Sequence, residues 1–134
     1  MNKKIEKEIE EKLKKLIGTV GRYAAYPVLN DEKATYTYAC YASGDGMINA
    51  GIQTDDLLLL EYTETLLDGE IGAFFVDGYK PMIKRFFHDR KHRMYILQYE
   101  DGKQAPILIN DDDSTFQILG RLISVVKKVG RERS

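Results

Sequence analysis

The chain has 134 residues, with 20 Lys+Arg against 21 Asp+Glu and a net charge of −1: the size of one domain, with no field suited to gripping a polyphosphate. Its 43% hydrophobic and 31% charged residues exclude a wholly disordered chain, and 11 Gly with 3 Pro exclude a collagenous one. No apolar run nears the ~20 residues of a membrane helix, Met1 to Lys15 interleaves charge unlike a signal peptide, and a lone cysteine, Cys40, can form no internal disulfide. The expected compartment is the cytoplasm, with no membrane, metal or cofactor.

From Lys3 to Ile17 the apolar residues Ile5, Ile9, Leu13, Leu16 and Ile17 recur at helical spacing, and Glu8/Lys12, Glu10/Lys14 and Glu11/Lys15 form i,i+4 pairs. This predicts an amphipathic helix stopped by Gly18 and Gly21. Its narrow apolar stripe suits packing on the domain or on a second copy. Beyond Gly21 the vocabulary becomes that of strands, expected near Thr35 to Ala42, Leu57 to Tyr62, Ile71 to Val76, Lys80 to Phe87, Arg93 to Tyr99, Pro106 to Ile109 and Phe116 to Lys127. Asp77-Gly78 and Asp101-Gly102 predict tight hairpins. The fold class is therefore mainly β, with mixed, mostly antiparallel sheets behind an N-terminal α-helix. The division is a helix and linker over 1–19, the β domain over 20–128 and a basic tail over 129–134.

Most isolated chemical signals are outweighed by plainer readings. Asp111, Asp112 and Asp113 read as a solvated loop rather than a cation site, and His88 and His92, four apart on a hairpin, need not share a face. Cys40 reads as a packed thiol rather than a nucleophile. Lys127, Lys128, Arg131 and Arg133 read as a solvated terminus.

Three separated segments are more specific: Ala42-Ser43-Gly44-Asp45-Gly46-Met47-Ile48-Asn49-Ala50-Gly51-Ile52, Asp55-Asp56-Leu57-Leu58-Leu59-Leu60, and Met82-Ile83-Lys84-Arg85-Phe86. In that order and spacing they resemble the self-cleaving serine peptidase domain of LexA-type repressors, UmuD and phage repressors. Phe116 to Lys127 resembles that family's last strand, so the resemblance runs from Val20 to Lys128. It implies a Ser-Lys dyad, in which a neutral lysine takes the proton of an attacking serine. Lys84 would be that base. Among Met82, Ile83, Phe86 and Phe87 its amine would be desolvated and its pKa lowered from ~10.4. The register Gly44-Asp45-x-Met47 places the nucleophile at position 46, which is Gly46, so no acyl-enzyme can form there. Ser43 matches a non-catalytic position of the family. Backbone amides near Asp45 and Gly46 could still shape an oxyanion hole.

Val20-Gly21-Arg22-Tyr23-Ala24-Ala25 resembles the family's self-cleavage segment, which places the scissile bond at Ala25-Tyr26. Tyr26 stands where the family has glycine, Pro27 follows it, and the connection to position 46 is shorter than the family norm. The resemblance also implies a homodimer, and the RecA filament on single-stranded DNA as a partner. One helix ahead of the cleavage-like segment is too little for a helix-turn-helix, so no direct DNA binding is expected of this chain alone. Phe116, Ile118, Leu122 and Val125 leave apolar groups on both faces of one strand. At a sheet edge such a strand would be covered by a second copy. A regulatory module that keeps the fold without the reaction is the alternative function, and a signal-peptidase relative is disfavoured because no membrane anchor is evident and Ile48-Asn49-Ala50 follows Met47.

Overall fold

Each stretch expected to be a strand pairs into one continuous sheet. The computed structural model describes residues 3–16, 23–25 and 36–129. Helix α1 (Lys3–Leu16) precedes β1 (Tyr23–Ala25), β2 (Thr37–Tyr41), a 3-10 turn at Ile48–Ala50, β3 (Leu57–Glu61), β4 (Ile71–Phe75), β5 (Met82–Asp89), β6 (Met94–Gln98), β7 (Ile107–Asn110) and β8 (Gln117–Val126). The eight strands lie in the order β1-β2-β3-β8-β4-β5-β6-β7. Where mixed sheets were expected, every described pairing is antiparallel and within one sheet.

Burial follows the two-residue period of a half-buried strand. On β3, Leu58 and Leu60 are buried between half-buried Leu57, Leu59 and Glu61. They meet Tyr36, Tyr38 and the helix residues Ile9 and Leu13 in one core cluster. Helix α1 thus docks on its own sheet: Leu13 is 0% exposed, and Lys12 Nζ donates to the Tyr62 hydroxyl at 3.0 Å. Full burial of one such leucine stabilises by about 1.5–3 kcal/mol. A second cluster gathers Phe74, Phe86, Leu97 and Ile109, with Phe116 stacked on Phe74 and Tyr95 at 5.8 and 4.6 Å between ring centroids.

Strand β8 divides its pairing: its first half, to Arg121, pairs with β4 and its second half, from Arg121 to Val126, with β3, so that among the described residues each half has one strand partner. Of its apolar residues Leu119 is buried, while Ile123 and Val126 stay about half exposed. Phe116 and Ile118 pack into the second cluster, Leu122 and Val125 against the first. Two expectations are corrected, the tight hairpins and the solvated residue at 127. Asp77-Gly78 sits in a turn, with Tyr79 N–H donating to Val76 O at 3.2 Å, but the connection from β4 to β5 runs over 76–81 and is no tight hairpin. Asp101-Gly102 opens a longer loop between β6 and β7, where the Asp101 carboxylate accepts from the Lys103 and Gln104 amides at 2.9 and 3.0 Å. Finally, Lys127 is no free terminus: its ammonium pairs at 2.7 Å with Asp56, which is 0% exposed. Arg131, Arg133, Ile17, Gly18, Gly21 and Tyr26 lie outside the described residues.

Candidate functional site

Between β2 and β3 the chain leaves the sheet and returns. The base of this excursion is closed by Ala42 N–H donating to Asp56 O and Asp55 N–H donating to Ala42 O, each at 2.9 Å. Leaving β2 requires a left-handed residue at position 44, and Gly44 supplies it with φ +81°. The far side is held by the segment after β6: Glu100 N–H donates to Gly46 O at 2.8 Å, and Asn49 N–H donates to Glu100 O at 2.7 Å. Lys127 closes the return, donating to Gly51 O as well as to Asp56. Gly46 is thereby fixed against the sheet.

Lys84 comes to this turn from β5. Alternation along the strand buries Lys84 and Phe86 on one face, while Ile83 joins the first core cluster. Lys84 is 8% exposed, and Tyr99, just past β6, places its ring 4.3 Å from Nζ. A Cβ built on Gly46 would lie 3.4 Å from Lys84 Nζ and 3.0 Å from Tyr99 Cδ1. A hydroxyl on that carbon would be within reach of the amine, and the Tyr99 ring would give way by a few tenths of an ångström. The amine is not left without partners by the glycine: Nζ donates to Ile83 O at 2.9 Å and faces the Tyr99 π-cloud. Burial pushes the Lys84 pKa below the ordinary lysine value, with Asp101 opposing. Asp101 is itself held at about 2, chiefly by the Gln104 amide, so it stands ionised at neutral pH. Tyr99, Glu100 and Asp101 escaped sequence reasoning because no local pattern links them to residues 46 and 84.

A cavity of about 150 Å³ opens beside the amine, walled by Cys40, Ala42, Ile52, Met82 and Ile83. Lys84, Tyr41, Ser43 and the backbone of the turn add polar groups to its lining. Ser43 is exposed on its rim. Cys40 is buried and its thiol is pushed up to about 12 by desolvation, as suits a packed thiol. Ala25 lies on β1, paired with Tyr38 of β2, while Tyr23 pairs with Cys40. Since β1 runs antiparallel to β2, the chain at Ala25 is moving away from the turn that carries Gly46. The remaining chemical candidates disperse: His88 faces Asp111 at 3.1 Å and His92 faces Asp89 at 2.8 Å, so the histidines serve different carboxylates.

A family model described as Peptidase S24-like matches residues 7–123. Among curated proteins the chain is similar to the LexA repressor of Clostridium novyi, 37% identical over 64% of this chain and 40% of that protein. It is likewise similar to the LexA repressor of Halalkalibacterium halodurans, 32% identical over 69% of this chain and 42% of the relative. The LexA repressor of Clostridioides difficile is 29% identical over 72% of this chain and 44% of its own length. The chain thus spans about two-fifths of the curated relatives it matches. With the match running from the helix through the Gly46 turn and the Lys84 strand into β8, the chain belongs to the peptidase S24-like family.

Proposed function

We propose that the chain is the self-processing domain of a LexA-type regulator that keeps the base of a Ser-Lys dyad, Lys84, and lacks its nucleophile at Gly46, so that it stays uncut. The observation that carries this reading is the 3.4 Å between Lys84 Nζ and a Cβ built on Gly46. An oxygen there could give its proton to a desolvated lysine and attack a peptide carbonyl, with the Asp45 and Gly46 amides as candidate donors to the oxyanion. Glycine supplies no oxygen, so the step that breaks the peptide bond has no attacking atom.

The same vacancy favours a second reading, in which the domain over 20–128 is a regulatory and assembly module preceded by a docked helix. A second copy would then meet the exposed face of the C-terminal half of β8, where Ile123 is 51% and Val126 46% exposed. Light scattering at micromolar concentration should give a dimer. A monodisperse monomer would remove assembly from the proposal.

Restoring the oxygen tests the main reading. Gly46→Ser should produce fragments cut at Ala25-Tyr26, faster as pH rises and faster with RecA filaments on single-stranded DNA, while Gly46→Ser/Lys84→Met stays intact. A folded Gly46→Ser protein that yields no fragment after a day at pH 10 would speak against a latent site. Cleavage elsewhere would reassign the segment.

A further inference from the structure

Besides the packing of Met47 and Ile52 in the cluster that Ile83 joins, the turn that carries Gly46 is linked to the Lys84 strand through Glu100. On β5 and β6, Arg85 pairs with Gln98. Glu100 lies two residues beyond Gln98, hence on the same face as Arg85, while Lys84 and Tyr99 meet elsewhere over Gly46. The Arg85 guanidinium forms an ion pair with the Glu100 carboxylate, both about a quarter exposed at 30% and 23%. Its other arm donates to Gly69 O at 2.7 Å, and Gly69 N–H in turn donates to Phe86 O at 2.7 Å. One end of the link is thus anchored on β5 itself. At its other end the Glu100 backbone makes both bonds to the turn, to Gly46 O and from Asn49 N–H.

We propose that Arg85 and Glu100 are positioning residues: their ion pair sets the height of the position 46 turn over the Lys84 amine. Neither would touch a reacting atom. A guanidinium held by a carboxylate and a carbonyl has little rotational freedom, so the Glu100 backbone is presented to the turn in one place. The inference rests on the Ser-Lys reading for its catalytic consequence, and on geometry alone for its structural one. Misplacement by about 1 Å costs on the order of 100-fold in rate.

Two measurements separate these parts. In the Gly46→Ser background, Glu100→Ala should slow self-cleavage about 10- to 100-fold at every pH without moving the pH of half-maximal rate. Glu100→Gln, whose amide oxygen still accepts from Arg85, should recover most of the loss. In the unaltered chain, Glu100→Ala and Arg85→Met should each speed amide exchange at Asn49 and Glu100 at least tenfold, with β3 and β8 amides unchanged. Unchanged exchange at those two amides, or a cleavage rate indifferent to Glu100→Ala, overturns the proposal. Faster exchange confined to the turn, in a protein whose Gly46→Ser variant never cuts, supports the link and defeats only the peptidase reading.

Discussion

A lysine serves as a base at neutral pH only where its ammonium is made costly, and Lys84 is placed so by burial against the apolar cavity wall. Its folded pKa lies below the unfolded value, so the unfolded chain holds the proton more tightly. The resulting penalty is complete below the folded pKa and disappears as pH rises through the unfolded one, near ~10.4. Lys84→Met keeps much of the packing and removes the charge. Its thermal midpoint should equal or exceed that of the unaltered chain at pH 7, and the difference should shrink as pH approaches 10.4. A clear drop at pH 7 with the fold retained would make Lys84 a structural partner. Cys40 gives a companion test on the same cavity. With its thiol raised to about 12, alkylation at pH 8 should wait for unfolding, and the labelling rate should follow the denaturation curve. Rapid labelling of the folded chain would show the cavity to be open to the reagent.

At the scale of elements, the excursion between β2 and β3 depends on contacts remote in sequence. Asp56 is fully buried, accepts from the Gln53 amide at 2.9 Å and pairs with Lys127 just after β8. Lys127→Ala would leave a buried carboxylate short of its cation, which costs about 1–3 kcal/mol, moderated because the lysine is half exposed. A lower urea midpoint with unchanged slope is expected; no change would place the stability of the loop elsewhere. Most strands were legible because short β-branched and aromatic runs alternate with Gly and Asp. The three residues of β1, Tyr-Ala-Ala, carry too little alternation to be read. The neighbours of β8, β4 for its first half and β3 for its second, were not legible for a physical reason. Apolar groups on both faces are equally what an uncovered edge and a central strand with cores on either side would show, and local sequence holds no term for which neighbours a strand takes. The basic residue at 127 was likewise read as solvated because its buried partner is 71 residues away.

At the scale of the molecule, one sheet brings a turn from its first half and a strand from its second into contact, and the candidate site exists only there. The triad of segments around Gly46, Leu57 and Lys84 was legible as a pattern, whereas Tyr99 over the amine and Glu100 under the turn are products of the antiparallel pairing of β5 with β6. The central claim is that Lys84 is a desolvated base aimed at position 46. Its most direct test is an NMR titration of the Lys84 side chain in lysine-labelled protein, with the signal assigned by its loss in Lys84→Met and followed again in Gly46→Ser. Half-titration below ~10.4, together with a displaced Lys84 signal when the serine oxygen comes within reach, is the expected result. A lysine that titrates at or above that value, with a signal indifferent to Gly46→Ser, would contradict it.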